Sequence, residues 1–433
     1  MDVKKISVPD SGYLGGVAQE QRVDELSDEQ ARAIEYVKDF AENGGGGRTW
    51  RVIGGVAGSG KSTIIPYVIK AVGRPYDGTV CLGEVAVCAY TGKAVMNLKR
   101  KGVPTAMTLH SFLYDRRTTE DAVTKERRTV YTPKAPWLFR TVKLLVVDEA
   151  SMVSREMFDL ISSLPFRTVY IGDHFQLPPV KDSFNIMLNP DLKMERIHRQ
   201  SEDDPIVMLA DLARNGKPIP LGVFGSSKHT RTLNPAELSD YDEVITWTNA
   251  TKDAVNAIVR KQRGFMPDAP MVDDKMIVRV NNRTFNVYNG QIVYLVSTPV
   301  PMKQNAWKVE FVDELAYNDP FIMAQTDAAT QAVASVHLPK DILDEIRGCP
   351  VTSRKEHRQW KKEHPYDIHL DWGYAITCHA AQGTSWGRVA VLLDDRMKHV
   401  IGREEYNRWV YTALTRAEDS VTIYSGGFGG LEA

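Results

Sequence analysis

The stretch Trp50–Thr63, WRVIGGVAGSGKST, decides the reading of this chain. WRVIGG is a short apolar run of strand character, and the chain enters a helix near Lys61. Between them, GVAGSGKST fits the spacing G-x4-G-K-[S/T] in the strand-then-helix context that the pattern requires. Such a loop curls its backbone amides around phosphate oxygens, a curvature that Gly55, Gly58 and Gly60 permit. The helix N-terminus adds a favourable dipole. Lys61 is expected to reach β- and γ-phosphates and Ser62 to ligate Mg²⁺, with Ser59 and Thr63 completing the phosphate-lining set. A chance glycine turn would have no reason to fall at this junction.

Working outward, the strand-then-helix rhythm repeats. LSDEQARAIEYVKDFAE, upstream, is amphipathic; Ser27 followed by Gln30 has the form of a capping box. Downstream, Val85–Ala89 predicts a strand and Lys93–Arg100 a helix. Leu144–Val147 predicts a strand ending in Asp148-Glu149, with a helix from about Arg155. Thr168–Ile171 ends in GDHFQLPPV. Alternation of this kind predicts a parallel α/β sheet with its chemistry at the carboxyl ends of the strands. Asp148 is placed to hold Mg²⁺ directly or through water, Glu149 to polarise an attacking water, and Gln176 to sense the γ-phosphate or position water. A carboxylate pair of this kind favours phosphoryl transfer to water.

The rhythm returns in Glu243–Thr246, Thr251–Lys261, Val389–Leu393, Glu404–Arg416 and Val421–Tyr424, which predicts a second α/β unit. From about 270 to 370 the pattern changes to alternating strands, KMIVRVNN, NGQIVYLVS and WKVEFVD, with an Asn289-Gly290 turn. That is the pattern of a small β module inserted into the second unit. The chain has 433 residues, enough for about three domains. With 54 Lys and Arg against 55 Asp and Glu, its net charge is 54 − 55 = −1. This excludes a protein that coats nucleic acid through bulk charge. The four cysteines, Cys81, Cys88, Cys349 and Cys378, form no C-x-x-C and no zinc spacing. The start, MDVKKISVPDSG, has no apolar core of a signal peptide, and no run of 18 apolar residues occurs. A cytoplasmic protein, of a bacterial cytosol or a phage-infected host, with no membrane association is expected.

Taken in order, these motifs resemble the superfamily 1B helicases, the RecD-like and phage Dda-like group, from about Leu26 to Tyr424. LSDEQARAI looks like the segment in which Gln30 reads adenine. AYTGKAVMNL and TLHSFL look like the strand-contacting motifs of the first RecA-like domain. ERIHRQ resembles the arginine motif opening the second; YAITCHAAQGTSW and YTALTRAED resemble its last two motifs. The resemblance implies two RecA-like P-loop domains sandwiching ATP with Mg²⁺, and Arg199 and Arg416 approaching the γ-phosphate from the second domain. It places Thr91, His110, Thr377 and His379, with Lys93 beside them, along single-stranded DNA. The segment Phe112–Trp137, rich in basic and aromatic residues, falls where the family carries a β-hairpin pin that splits the duplex. The β module matches the position of an SH3-like domain. SRKEHRQWKKEH (Ser353–His364) is a basic helix, open as either a DNA clamp or a solvated face.

The expected division is a leader over 1–22, a first ATPase domain over 23–185, a second over 186–270 and 371–433, and an SH3-like insertion over 271–370. The resemblance implies an ATP-dependent DNA helicase moving 5′ to 3′ on single-stranded DNA and a duplex fork, with replication or single-strand-binding proteins as candidate partners; a monomer is expected. The compact length resembles phage-encoded members. A viral-type superfamily 1 RNA helicase shares many of these motifs, and an ATP-switched remodelling protein without strand separation is the reading from a different class.

Overall fold

A computed structural model describes residues 26–76, 83–120, 127–178, 184–196, 204–280, 282, 285, 287–302, 306–318, 329–336 and 367–426. The leader, Arg199 and the Ser353–His364 segment lie outside the described residues.

Helix α1 (Asp28–Asn43) forms as its sequence predicts: the Gln30 amide donates to Ser27 Oγ at 3.3 Å, and the Ser27 amide to Gln30 Oε1 at 3.0 Å. Its Ala33, Ile34, Val37, Phe40 and Ala41 are buried, the spacing of one helix face. Next come β1 (Trp50–Gly55), α2 (Ile65–Val72), β2 (Val85–Ala89), α3 (Gly92–Arg100), β3 (Met107–Thr108) and α4 (Leu109–Leu113). The regular helix begins at Ile65 rather than near Lys61. Pro66 is tolerated only in a first turn, and Ser62–Ile64 wind as a 3₁₀ turn before it.

After β4 (Tyr114–Glu120) and β5 (Arg127–Pro133) the unit closes with β6 (Leu144–Asp148), α5 (Arg155–Ser162), β7 (Arg167–Gly172) and β8 (Leu192–Met194). Six strands form a wholly parallel sheet in the order β3-β2-β6-β7-β1-β8. VAVCA and LLVVD are buried at every residue, as strands covered on both faces must be. β4 and β5 make a separate two-stranded antiparallel hairpin, Tyr114 opposite Pro133 and Glu120 opposite Arg127. Phe112, read from sequence as part of the pin segment, belongs instead to the core. It is 1% exposed and packs against Phe139, Phe166 and Tyr76, because α4 turns its apolar face inward.

The second unit holds α6 (Pro205–Arg214), β9 (Gly222–Phe224), β10 (Ser227–Thr230), β11 (Glu243–Thr246) and α7 (Asn249–Gln262). The intervening module holds β12 (Lys275–Val278), β13 (Ile292–Leu295), β14 (Val300–Pro301), β15 (Ala306–Asp313), α8 (Glu314–Asn318), β16 (Thr330–Val336) and β17 (Ile368–Trp372). The second unit resumes with β18 (Ala375–Thr377), β19 (Trp386–Asp394), α9 (Met397–Ile401), α10 (Arg403–Leu414) and β20 (Ala417–Gly426). Its sheet runs β18-β11-β19-β20-β10-β9, parallel except for β9. In the module, β13-β12-β17-β16-β15 closes through β13–β15 into a five-stranded barrel, with β14 a flap on β15.

Three buried ion pairs bolt the barrel to the second unit. Lys252 of α7 meets Asp371 of β17 at 2.9 Å; Arg260 of α7 meets Asp274 at 2.9 Å; Lys275 of β12 meets Glu243 of β11 at 2.9 Å. The barrel also touches α3 of the first unit. Arg100 pairs with Asp313 at 2.9 Å, and Tyr288 lies over Gly92 so closely that a Cβ there would sit 2.3 Å from the ring. No helix among the described residues is long and apolar enough to cross a membrane.

Candidate functional site

The three central strands β6, β7 and β1 end side by side, and each carboxyl end carries a motif: Asp148-Glu149, Asp173–Leu177 and the Gly55–Thr63 loop. Gly58 and Gly60 take φ of +80° and +77°, where a side chain is strained. A Cβ on Gly55 would stand 2.6 Å from Ser59 Oγ and 2.9 Å from Lys61. Lys61 folds over the loop, donating to the carbonyls of Gly55 (2.9 Å) and Val56 (2.6 Å), which uses two of its three ammonium hydrogens. Thr63 is exposed at the loop exit, its amide donating to Gly60 O at 3.0 Å.

The Ser62 hydroxyl bonds the Asp148 carboxylate, so the loop serine and the strand-end acid already face one another. Burial pushes the Asp148 carboxyl up, against the pull of Lys101, Ser62 and Lys61. Glu149 sits in the left-handed region, φ +53°, which turns its side chain off the strand axis. Its carboxyl is raised by burial and then by Asp148, while Arg416 and Lys61 pull it down. Arg416 of the second unit therefore acts on the acid of the first. Its guanidinium is held by Thr412 O (3.0 Å), Thr384 O (2.9 Å) and Thr415 Oγ1 (3.0 Å).

Several buried polar atoms here have no hydrogen-bond partner among the described residues: Ser59 Oγ, Ser151 Oγ, Gln176 Oε1, His174 Nδ1 and Thr384 Oγ1. Buried polar groups are ordinarily paired, so a polar ligand suits this cleft. Among the described residues no group of three or more His, Cys, Asp or Glu could hold a metal ion alone. One hydroxyl and one carboxylate nevertheless fit Mg²⁺, which keeps waters and takes substrate phosphates as its other ligands.

The second unit grips the Asp173–Leu177 loop. The Leu177 amide donates to Thr412 Oγ1 at 3.1 Å, and its carbonyl accepts from Gln382 Nε2 at 3.1 Å. Arg408 donates to His174 O at 2.9 Å. Tyr411 Oη accepts the Ala57 amide at 3.0 Å and donates to Asp173 Oδ2 at 2.8 Å. Arg408, Tyr411, Thr412 and Gln382 were not singled out from sequence. Arg408, Tyr411, Thr412 and Thr415 recur at three- and four-residue steps through α10 and the turn after it; that shared helical face was the available signal.

Toward the nucleic-acid motifs, Thr91 caps α3, its Oγ1 accepting the Ala94 amide at 3.2 Å. Gly383 approaches it: a Cβ there would lie 3.6 Å from Thr91 Oγ1 and 4.0 Å from Glu149 Oε1, and Asn97 donates to Gly383 O at 3.0 Å. The motif around Gly383 thus lies between Thr91 and Glu149. His110 is exposed between two tyrosines, edge-on to Tyr90 at 5.8 Å and stacked with Tyr114 at 6.0 Å. Tyr90 extends the row beyond what sequence indicated. Thr377 ends β18, its carbonyl accepting the Ala381 amide, and His379 follows with its pKa lowered by burial. Gln30 spends its side-chain oxygen on the capping box. The Lys93 side chain and Arg199 lie outside the described residues.

Comparison with known proteins agrees with this geometry. An AAA domain model matches residues 25–231, and a UvrD-like helicase C-terminal domain model matches 373–424. The RecD2 DNA helicase of Deinococcus radiodurans is 26% identical over 403 residues, covering 91% of this chain and 48% of that protein. The Dda helicase of Enterobacteria phage T4 is 26% identical over 283 residues, covering 56% of this chain and 62% of that protein. The chain thus spans about half the length of RecD2. In fold it resembles Bacteroides Pif1 bound to ssDNA, with a TM-score of 0.53, 17% identity and 92% of each chain covered. Candida albicans Pif1 gives a TM-score of 0.51 at 18% identity, with 92% of this chain and 94% of that chain covered. With an AAA domain model and a UvrD-like helicase C-terminal domain model matched in order, and with RecD2 and Dda among its relatives, the chain is similar to the superfamily 1B helicases.

Proposed function

We propose that this chain is an ATP-dependent DNA helicase that hydrolyses ATP between its two α/β units and moves 5′ to 3′ along single-stranded DNA. One observation carries the reading: the second unit meets the phosphate loop and the β6 end directly, Tyr411 bonding the Ala57 amide at 3.0 Å and a Cβ on Gly383 lying 4.0 Å from Glu149 Oε1, so a triphosphate seated in the loop would lie between the two units.

In this reading Lys61 and the loop amides orient the phosphates. Ser62 and Asp148 would hold Mg²⁺, which would supply positive charge to offset that of the phosphates. Glu149 takes the proton of the attacking water, Gln176 positions that water, and Arg416, with Arg199, stabilises charge developing at the γ-phosphate. Three of the five N–H donors of Arg416 are spent on Thr412, Thr384 and Thr415, so two remain for phosphate oxygens. Gln30 faces the adenine. Thr91, Lys93, His110, Thr377 and His379 follow the strand, with Tyr90 and Tyr114 adding ring faces for bases. The β4–β5 hairpin acts as the separating pin, and the barrel as the SH3-like domain of the family. The domain limits proposed are those expected from sequence, and the working unit is a monomer on a fork, with single-strand-binding or replication proteins as partners.

The test is unwinding of tailed duplexes with ATP and Mg²⁺. A 5′-tailed duplex is expected to open and a 3′-tailed one to stay closed; the reverse preference refutes the polarity. ATPase stimulation by single-stranded RNA but not DNA would establish the RNA reading instead. Lys61→Ala should abolish ATPase and unwinding together, and intact remodelling in that variant would favour the switch reading. Glu149→Gln should bind ATP but slow hydrolysis by about 10²–10⁴-fold, the usual worth of a general base.

A further inference from the structure

We propose that Tyr411 is a positioning residue that couples the phosphate-binding loop to the second unit, its hydroxyl tying the Ala57 amide to the Asp173 carboxylate. The inference rests on the functional reading above and extends it to how the two units register each other's position.

Tyr411 is on α10, yet neither hydrogen bond of its hydroxyl goes to its own unit. It accepts from Ala57, inside the loop between Gly55 and Gly58, at 3.0 Å, and donates to Asp173, at the end of β7, at 2.8 Å. Asp173 in turn accepts the Phe175 amide at 2.9 Å. The ring is 3% exposed and packs edge-on against Phe175 at 5.8 Å. A phenylalanine would fill the same space, so packing alone does not require the oxygen. Burying a hydroxyl costs free energy unless it is bonded, and this one is bonded twice across the interface. Burial and Asp173 both hold the phenol protonated, which keeps it a donor to the carboxylate.

The surrounding bonds reinforce the coupling. Leu177 is held at both its amide and its carbonyl by Thr412 and Gln382, and His174 O by Arg408. The Asp173–Leu177 loop, which carries Gln176, therefore follows α10. Tyr411 extends that grip one strand further, to the phosphate loop. A displacement of the second unit must carry the Ala57 amide with it or break this bond, and a shift of the loop must do the same in reverse. Coupling of this kind is reciprocal between the two sites.

The experiment compares the full chain with Tyr411→Phe, Asp173→Asn and Asp173→Ala. A fluorescent single-stranded oligonucleotide reports DNA Kd by anisotropy with a non-hydrolysable ATP analogue and with ADP; kcat and KM for ATP are measured with saturating DNA. In the unmodified chain the two nucleotides should separate the DNA Kd values by about tenfold or more, the equivalent of ~1.4 kcal/mol of coupling. Tyr411→Phe should compress that ratio toward one and lower kcat more than it alters KM. Asp173→Ala should do the same, while Asp173→Asn, which keeps an oxygen acceptor, should restore most of the ratio. Because the aspartate variants read the same coupling through a different residue, they decide the matter even where Tyr411→Phe folds poorly. A Tyr411→Phe or Asp173→Ala chain with the unmodified ratio overturns the role of Tyr411. An unmodified chain that neither hydrolyses ATP nor binds DNA overturns the functional reading instead.

Discussion

Replacing Arg260 with methionine removes a cation from one of the driest places in the molecule. Arg260 is 1% exposed and its partner Asp274 fully buried. The guanidinium donates to Asp274 Oδ1 at 3.2 Å and Oδ2 at 2.9 Å, to Pro267 O at 2.7 Å and to Ala269 O at 2.6 Å, and it lies 3.5 Å from the ring centre of Trp372. Removing one partner of such a pair costs about 3–5 kcal/mol, because the other charge stays buried. The Tyr374 hydroxyl at 3.0 Å and the Met271 amide at 3.1 Å remain to Asp274, so the carboxylate is left with neutral donors only. The double variant Arg260→Met/Asp274→Leu leaves no orphan charge and should cost less than Arg260→Met alone.

The penalty should also depend on pH. Burial already holds the Asp274 carboxyl above its ordinary range, with Arg260 opposing. Without Arg260 its folded pKa rises further above the unfolded value. The folded state then binds a proton more readily than the unfolded chain, and stability is lost as pH rises through that window. The cost of Arg260→Met should therefore be largest near about pH 8 and shrink toward about pH 5. Urea unfolding followed by far-ultraviolet circular dichroism at both pH values measures it. An equal penalty at the two values, or a double variant as unstable as the sum of the single ones, would refute the reasoning.

Two further outcomes are expected. Gly92→Ala puts a methyl 2.3 Å from the Tyr288 ring, so the barrel must shift off α3; a loss of about 1–3 kcal/mol is the usual cost of overpacking. An unchanged urea midpoint would show that the ring yields freely. Burial lowers the pKa of His174 and His379, so below about pH 6.5 the unfolded chain binds more protons than the folded one and stability falls with acidification. His174→Gln should flatten the dependence of melting temperature on pH between about 5 and 7, and a slope identical to the unmodified chain's would remove His174 from that set.

The parts of the molecule legible from sequence are those fixed by local chemistry. The capping box of α1 needs only Ser27 and Gln30, three residues apart. The phosphate loop declares itself through glycines whose positive φ angles are intrinsic to the turn. The apolar runs of β2 and β6 announce buried parallel strands because both faces are covered. What escaped depends on distant partners. Nothing local in YTALTRAED marks Tyr411 as the mate of Ala57, 354 positions away. The closure of β13 on β15 is a matter of register across an antiparallel pair, which alternating strands alone leave open. Phe112 bounded the segment read as a pin, and only the turn of α4 into the core fixed its place. Thr91 shows the two levels together: the motif singled it out for DNA, and the structure adds that its side-chain oxygen caps α3.

The sheet edges bear on how a chain with a net charge of −1 stays dispersed. Little electrostatic repulsion keeps its copies apart, and long open strands would invite edge-to-edge aggregation. Among the described residues the large sheets end in very short strands: Met107–Thr108 and Leu192–Met194, then Gly222–Phe224 and Ala375–Thr377. The barrel has no edge of its own, and its flap is a two-residue strand containing Pro301, which has no amide hydrogen to offer. The β4–β5 hairpin departs from this, with seven residues in each strand, and its sequence carries Arg116, Arg117, Arg127 and Arg128.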